Sequence, residues 1–431
     1  MKKNLLFPIL LFSAVIFSIF SFTNISSSSK INQLPKTNAD KAGLTLPAGF
    51  SASIVADNTG EARHIAVTKE GDLYIKLGSA KGGNGILFLQ DPDQNGRYQK
   101  KTGFADYSGT EVGLKNGYLY ASSNTTIYRY KLNDKDEVTD PKNPEIIVSG
   151  LLDHGEHNSK SFTFDDQGNL YVNVGAYSNS CQEQDRVPGS MGMKGCPILD
   201  SAGGIWQFKI DKLNQHYGDG VHYAIGLRNV VGLDWNQIDN ALFVMQHGRD
   251  QLHDLFPKYY TTKQSAVLPA ECMYEIHKGD NAGWPYIYYD QIQKKQILMP
   301  EYGGNGKKTA DKKYLDPVMA FPGHMGPNGL LFYTGNQFPE KYKNGAFIAF
   351  HGSWNRSPEP QAGYFVVFVP FKDGKPSGKW EVFADGFAGE KVVMSPGKAE
   401  HRPCGLAQGP DGSLYVSDDS KGTIYKISYK K

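Results

Sequence analysis

The sequence predicts an all-β protein, a six-bladed β-propeller preceded by an N-terminal export signal. Three observations predict this class: a strand–turn–strand phrase recurs six times, Gly and Tyr are abundant (48 and 25), and long helical patterns are few. Hydrophobic residues make up 39% of the 431 residues, which excludes wholesale disorder. The 46 basic and 44 acidic residues give a net charge of +2, so no nucleic-acid partner is expected.

The first residues have the features of a secretory signal. Lys2 and Lys3 precede an uncharged stretch whose apolar core runs from about Leu5 to Phe22. We therefore predict a signal peptide over residues 1–29, with a retained membrane anchor as the alternative because the core is near the lower limit for spanning a bilayer. Residues 30–43 are predicted to be a flexible linker and residues 44–431 the propeller. The expected location is the periplasm, with no stable membrane span after signal removal.

The four cysteines are too few for a disulfide scaffold. Cys181 and Cys196 lie 15 positions apart in a loop rich in Gly and Ser, and we expect them to pair. Closing such a loop contributes about 3 kcal/mol in the chain-entropy model. The other two cysteines, Cys272 and Cys404, are far apart in sequence, and a disulfide between them is only a guess. No CxxC spacing occurs, so a thiol–metal site is not expected.

The recurring phrase is an apolar run, a turn containing Asp, Asn or Gly, and a second apolar run, which is typical of a β-hairpin. Its six copies begin at Arg63, Thr110, Lys160, Asn229, Asn328 and Pro403. The markers Leu73, Leu119, Leu170, Leu242, Phe347 and Leu414 lie 46, 51, 72, 105 and 67 positions apart. Such spacings predict propeller blades, and the gap of 105 requires an insertion or a seventh blade. A β-sandwich array is the alternative, but it would not explain the repeated phrase.

Further strands complete the predicted blades. Residues 126–132, 204–210, 365–371 and 423–429 fit the third strand of a blade. Residues 50–56 are predicted to pair with the last blade, because closing the ring in this way removes an exposed sheet edge.

Residues just before the innermost strands of a propeller converge at one end of its channel. The copies place there Arg63, Thr110, Glu111, His154, His157, Lys160, Arg228, Asn229, His324, Asn328, His401 and Arg402, and residues 247–250 and 351–356 follow two hairpins. A single Arg or His is usually structural, but repetition at equivalent positions favours a functional site. Several Arg side chains beside a candidate general base suit an anionic ligand and proton abstraction.

Several phrases resemble sorbosone dehydrogenase-like proteins. They are HNSK at His157, YAIGLRNVVGLDW at Tyr223, MQHGRDQL at Met245, AGWPYIYYD at Ala282, FHGSWNRSP at Phe350 and RPCGLAQGPDGSLYVSDD at Arg402. These proteins are related to soluble quinoprotein glucose dehydrogenase, a six-bladed propeller that binds pyrroloquinoline quinone and calcium. The resemblance covers nearly the whole chain after the predicted signal.

The resemblance implies oxidation of a sugar or a sugar-derived aldehyde. His157 would be the general base that takes the substrate proton while a hydride passes to the quinone. Arg228, Asn229 and Arg402 match quinone-binding positions, and the three carboxylates of this cofactor suit a cationic channel.

The fifth-blade loop departs from the glucose enzyme, which has a lysine there. Arg356 is expected to substitute for it, and Trp354 and Arg63 complete the expected cofactor-binding set. A glutamine of the glucose enzyme has no clear counterpart, with Thr110 and Glu111 as candidates.

The resemblance also implies a calcium site. Gly248 and Arg249 match the pair whose backbone carbonyls hold calcium, and Asp250 is a further candidate ligand. The acidic residues Glu271, Glu275 and Asp280 are predicted either to bind a second calcium or to form a solvated acidic face.

The chain has no CxxCH haem motif, so we expect a separate electron acceptor such as a cytochrome c or a membrane quinone pathway. Two other functions stay open. One is a calcium-dependent hydrolase of the lactonase-propeller type, and the other is a non-enzymatic propeller that binds envelope partners or glycans.

Overall fold

The computed structural model describes residues 42–430, so the predicted signal and nearly all of the predicted linker lie outside the described residues. The described chain forms six blades whose innermost strands pack side by side around a central channel. The predicted six-bladed β-propeller is therefore confirmed.

Each blade is a sheet of antiparallel strands that follow one another outward from the channel. Blade 1 comprises Ala62–Val67, Leu73–Lys81, Asn84–Pro92 and Tyr98–Phe104. Blade 2 comprises Val112–Lys115, Tyr118–Ser122, Ile127–Lys131 and Glu145–Ser149, with Gln215–His216 added in parallel at its edge. Blade 3 comprises Phe162–Phe164, Asn169–Val174, Gly204–Lys209 and Val221–Ile225.

Blades 4 to 6 complete the ring. Blade 4 comprises Val230–Asn236, Ala241–Gln246, Glu271–Ile276 and Met319–Phe321, and blade 5 comprises Pro327–Phe332, Ala346–Phe350, Phe365–Val369 and Glu381–Ala384. Blade 6 comprises Pro403–Gln408, Leu414–Asp418 and Ile424–Tyr429, with Phe50–Ala56 as its outermost strand. All four predicted third strands are present.

The first strand closes the ring as predicted. Phe50–Ala56 pairs antiparallel with Ile424–Tyr429, and Phe50 lies opposite Tyr429. The Phe50 ring packs edge-on against Phe338 and Phe383 of the blade 5–6 core. This pairing covers the edge of blade 6 that would otherwise be exposed.

The innermost strands of blades 1, 4, 5 and 6 share an irregularity near their first residues. Their pairing registers shift at Ala62/Ile65, Val230/Leu233, Pro327/Gly329 and Pro403/Leu406. A β-bulge re-aims the side chains beside it and is common next to active sites. The shifts lie at the end of the channel where the sequence places its Arg and His residues.

An insertion in blade 4 explains the spacing of 105, so the described residues contain no seventh blade. Its helices are Leu252–Leu255 and Thr262–Val267, and its hairpin is Ile287–Asp290 with Lys295–Leu298. Thr261 caps the second helix in a reciprocal arrangement with Gln264. Other short elements are the 3-10 turns Pro197–Asp200, Tyr217–Asp219, Pro300–Tyr302, Glu340–Tyr342 and Pro396–Lys398, and the hairpin Phe371–Lys372 with Lys375–Pro376. Neither described helix approaches the length needed to cross a membrane.

One cysteine prediction is confirmed and the other is wrong. Cys181 and Cys196 form a disulfide with a Cα–Cα distance of 6.0 Å. Cys272 and Cys404 are both buried free thiols. Cys272 lies on the third strand of blade 4, where its Sγ contacts the Ala270 carbonyl, and Cys404 lies on the innermost strand of blade 6 near Asn328. The two thiols belong to different layers of different blades and cannot pair.

Candidate functional site

A polar cavity of about 280 Å³ lies at the bulged end of the channel. The predicted site residues that line it are Arg63, His157, Arg228, Asn229, Gly248, Asp250, Trp354 and Arg402. A second cavity of about 430 Å³ adjoins it and shares Arg63, Ser159, His351 and Arg402 with it. Residues from all six repeat copies therefore meet at one mouth, because Thr110 and Asn328 also line these cavities.

The His157 imidazole is held as a neutral ring with one free nitrogen. Its Nδ1 contacts the backbone carbonyl of Ala176, which can only accept a hydrogen bond, so the proton lies on Nδ1. Nε2 therefore carries a lone pair. Burial, together with the nearby Arg228 charge, lowers the pKa of His157 to about 3. The ring is therefore neutral, with Nε2 unprotonated, across the physiological pH range.

Arg228 is fixed in the cavity wall by the protein itself. Its guanidinium donates to the carbonyl and the side-chain oxygen of Asn179 at 3.0 and 3.1 Å, and to the Gly248 carbonyl at 3.0 Å. It also donates to the Asp250 carboxylate at 2.7 Å. The side chain of Arg228 is only 3% exposed, so its position is preorganised for a ligand rather than set by one.

The Asp250 carboxylate forms ion pairs with two arginines. Besides Arg228 it faces Arg186 at 3.3 Å, and Arg186 also contacts Glu156, the neighbour of His157. Burial opposes ionisation of Asp250, but the charge of Arg228 lowers its pKa to about 2. The sequence argument missed Arg186 because it lies in the disulfide loop, which has no repeat template.

Arg63 and Arg402 form the opposite wall. Nη1 of Arg63 lies 2.6 Å from the Asp419 carboxylate. Arg402 instead contacts the His351 carbonyl at 3.2 Å, its Nδ1 at 3.0 Å and the Gly352 carbonyl at 3.1 Å. The sequence argument missed Asp419, although it follows the second strand of blade 6 just as His247 and His351 follow theirs.

The side chain of Arg356 does not reach the cavity. Nη1 of Arg356 donates to the backbone carbonyls of Ala266 and Gly323, and its Nε donates to Pro360. These bonds tie the loop to the blade 4 insertion, so the structure does not place Arg356 where a cofactor-binding lysine substitute was expected. Trp354 of the same loop does line the cavity and is 53% exposed.

The side chain of Arg249 points away from the cavity. It forms a fully buried ion pair with Glu301, with Nη1 and Oε1 2.6 Å apart. The expected metal contact of Arg249 is its backbone carbonyl, however, and no hydrogen bond is made to that oxygen in the described part of the chain. The Gly248 carbonyl accepts one bond, from Arg228. Of the two residues only Gly248 lines the cavity, and the Asp250 carboxylate is bound by two arginines.

The three acidic residues considered for a second calcium or a solvated face do not share one site. Glu275 pairs with His277 and Lys375, and Asp280 accepts from the His277 backbone N–H. Glu271 is separate and only 3% exposed, and it lines the cavity at the channel mouth. Within residues 42–430 no group of three or more His, Cys, Asp or Glu could hold a metal. Glu275 and Asp280 are partly exposed and lie on either side of His277, apart from the buried Glu271.

Glu271, which the sequence analysis grouped with Glu275 and Asp280, places its carboxyl group at the cavity. One oxygen accepts from the Gly248 N–H at 2.8 Å, and the other accepts from Met325 and Gly326 at 3.2 and 3.4 Å. Burial raises the pKa of Glu271 to about 7, against the lowering effect of these donors.

Thr110 and Glu111, the two candidates from the second repeat copy, lie at different depths in the central channel. Thr110 lines the outer cavity, whereas Glu111 lies deeper in the channel, with Oε2 2.6 Å from Nδ1 of His64. Glu111 is therefore engaged by an imidazole below the site. Thr110 is the one of the pair that a ligand at the mouth can reach.

A comparison with known protein families assigns the chain to one of them. The model of the TrAA12-like family matches residues 44–430. This chain belongs to the TrAA12-like family. The match spans all six blades and confirms the resemblance to quinoprotein dehydrogenase propellers on which the sequence argument relied.

One similar protein matches this chain over nearly its whole length, and another matches about half of it. A Borreliella burgdorferi protein described as uncharacterized is 27% identical over 403 residues, which is 90% of this chain and 91% of that protein. A pyrroloquinoline quinone-dependent pyranose dehydrogenase of Coprinopsis cinerea is 28% identical over 267 residues, which is 51% of this chain and 34% of that protein.

Among solved structures, the iodide structure of a Trichoderma reesei enzyme of carbohydrate-active family AA12 superposes with a TM-score of 0.71. It is 18% identical, and the alignment covers 93% of this chain and all of that chain. At this identity the superposition establishes the shared propeller fold.

Proposed function

We propose that this TrAA12-like protein is a quinoprotein dehydrogenase that oxidises a sugar or a sugar-derived aldehyde with pyrroloquinoline quinone. The observation that carries the proposal is the neutral His157, with an unprotonated Nε2, in a cavity also lined by Arg63, Arg228 and Arg402. The printed names of the similar Coprinopsis cinerea and Hypocrea jecorina proteins, which are quinone-dependent pyranose and sugar dehydrogenases, support it.

The donor set fits a planar tricarboxylate. Guanidinium groups bind carboxylates strongly. Arg63 and Arg402 keep N–H groups that make no bond within the described residues, and Arg228, whose N–H groups are mostly used by the protein, adds its charge to the cavity wall. Asn229 adds an amide, and the exposed Trp354 ring offers an apolar face at the rim. The cavities of about 280 and 430 Å³ are in the size range of small-molecule sites.

Calcium fits the neighbouring loop. The backbone carbonyls of Gly248 and Arg249 are hard oxygen ligands, and that of Arg249 accepts no other bond in the described residues. Asp250 is left out of this proposal because Arg228 and Arg186 bind its carboxylate. The ion would add positive charge beside the cofactor and polarise it.

The chemistry assigned to the chain is a proton transfer. The quinone, when bound, supplies the hydride acceptor. Nε2 of His157 takes the proton of the substrate hydroxyl or hydrated aldehyde while the adjacent carbon loses its hydride, and a carbonyl is formed. The Ala176 carbonyl keeps the ring in the required tautomer, and burial together with the Arg228 charge keeps the resting imidazole neutral.

We also propose that the protein is exported to the periplasm and passes its electrons to a separate acceptor such as a cytochrome c. The apolar residues after Lys2 and Lys3 support export, and so does the Cys181–Cys196 disulfide, since such bonds persist in oxidising compartments.

The test is reconstitution of the apo-protein with pyrroloquinoline quinone and calcium. The holo-protein is expected to bind the quinone by absorbance titration and to reduce an artificial dye with at least one aldose or osone. A His157→Gln variant should keep quinone binding and lose turnover. Absence of quinone binding, or full turnover in the variant, would refute the proposal. Lactone hydrolysis without quinone would favour the hydrolase instead.

A further inference from the structure

Glu271 joins two loops that line the cavity. It begins the third strand of blade 4, and one carboxyl oxygen accepts from Gly248 at 2.8 Å. The other oxygen accepts from Met325 and Gly326 in the turn that precedes blade 5. All three partners are backbone N–H donors, and none of the described arginines or lysines forms an ion pair with Glu271. Its carboxyl group therefore acts as a bridge between loops and not as half of an ion pair.

The turn at Met325 and Gly326 continues this bridge across the mouth. The Met325 carbonyl accepts from Gly352 at 2.6 Å, and the Gly326 carbonyl accepts from His351 at 2.8 Å. The carbonyls of His351 and Gly352 in turn accept from Arg402. A continuous series of hydrogen bonds thus runs from Gly248 through Glu271 to Arg402.

The backbone along this series is closely packed. A Cβ on Gly326, whose φ is +66°, would lie 2.9 Å from the Gly352 carbonyl oxygen. A Cβ on Gly248 would lie 3.2 Å from the Pro269 carbonyl oxygen. Glu271 thus holds two loops that have little free space around their glycines.

We propose that Glu271 is a positioning residue that fixes the Gly248–Arg249 carbonyls and the Arg402 guanidinium relative to each other. The inference rests on the proposed function, because those two groups are the assigned metal and quinone contacts. Glu271 itself touches neither ligand in this proposal.

Asp234 provides a matched control. It also lies on blade 4, and its carboxyl group accepts from the Trp235 N–H and from the Phe332 N–H of blade 5, each at 2.8 Å. It lines a different cavity at the other end of the channel. Asp234 and Glu271 therefore make the same kind of bridge between blades 4 and 5, but only Glu271 makes it at the proposed site.

The test compares Glu271→Gln, Glu271→Asp and Asp234→Asn in the full chain. Glutamine places an N–H₂ group opposite one set of N–H donors, and aspartate is one methylene too short to span both loops. Both Glu271 variants are expected to weaken quinone binding in absorbance titrations, and terbium binding in place of calcium, by about tenfold or more. Asp234→Asn should lower the melting temperature about as much as the Glu271 variants do. It should leave the binding of quinone and of terbium unchanged.

The outcomes separate this inference from the proposed function. Wild-type affinity for quinone and terbium in both Glu271 variants would overturn the inference alone. Equal weakening in Asp234→Asn would also overturn it, because the effect would then follow from general stability. A wild-type chain that binds no quinone would overturn the proposed function and this inference with it.

Discussion

Nη2 of Arg402 lies 3.0 Å from Nδ1 of His351. Because Nε2 of His351 faces the Asp419 carboxylate at 2.7 Å, the ring donates there and accepts from Arg402 at Nδ1. Burial and the nearby arginines lower the pKa of His351, which agrees with a neutral ring. Arg402 is thus held by neutral acceptors, whereas Arg63 and Arg228 each face a carboxylate. It is the mouth arginine whose charge is least compensated among the described residues.

This difference predicts that Arg402 contributes most to binding of an anionic cofactor. Arg402→Gln is expected to raise the quinone dissociation constant by about tenfold to a hundredfold, since hydrogen bonds to charged groups contribute about 1.5–3 kcal/mol. The measurement is an absorbance titration of the apo-protein. Arg97→Gln, which removes a surface arginine paired with Asp57, is the control and should bind as the wild type does. An unchanged dissociation constant for Arg402→Gln would contradict the prediction.

The pKa of His157 predicts the pH dependence of turnover. Because its pKa is lowered to about 3, the ring is deprotonated above that pH and ready to accept a proton. We expect kcat/KM to show no acidic limb between pH 5 and pH 8. A limb with an apparent pKa near 6.5 that persists in Glu271→Gln would contradict the lowered pKa of His157; the Glu271 variant is needed because the pKa of that carboxyl group is about 7.

The matched variants for this profile are His157→Gln and His154→Gln. The first should lower kcat by about a hundredfold or more, since general base catalysis contributes about 10²–10⁴. His154 packs against Tyr177 with tilted rings whose centroids are 4.3 Å apart, and it does not line the cavity. His154→Gln should therefore leave kcat close to that of the wild type.

The His64–Glu111 pair predicts a pH dependence of stability. Nδ1 of His64 lies 2.6 Å from Glu111 and Nε2 lies 2.9 Å from the Asn328 carbonyl, so both nitrogens face acceptors. Burial opposes the charged ring, but Glu111 raises the pKa of His64 to about 10. The folded-state pKa exceeds the unfolded value of about 6.5, so the stabilisation is full below about pH 6.5 and is lost as the pH rises toward 10.

Glu111→Gln tests this dependence. The variant should be destabilised by about 3 kcal/mol at pH 6, because one partner of a buried pair is removed, and the gap should narrow toward pH 10. Chemical denaturation at a series of pH values measures it. Glu145→Gln removes the exposed partner of Arg129 and should show a small, pH-independent effect. A gap that widens with pH would refute the assignment of a charged His64.

The sequence determined the blades and most of the mouth. A hairpin is a local structure, so the alternation around each turn predicted the strands at Leu73, Leu170 and Leu414 without long-range information. Because every blade presents the residue before its innermost strand to one channel, His157, Arg228 and Arg402 could be placed together from their positions in the repeat.

The tertiary structure decided what lies outside the repeat. Arg356 was assigned by its place in a motif, but the insertion in blade 4 offers its guanidinium the carbonyls of Ala266 and Gly323. The sequence predicts either a second calcium site or a solvated acidic face for Glu271, yet the packing of blades 4 and 5 buries it beside Gly248. Repeat spacing determines which backbone position faces the channel. Where a long side chain finds its partners depends on the loops packed around it, and those contacts exist only once the ring has closed.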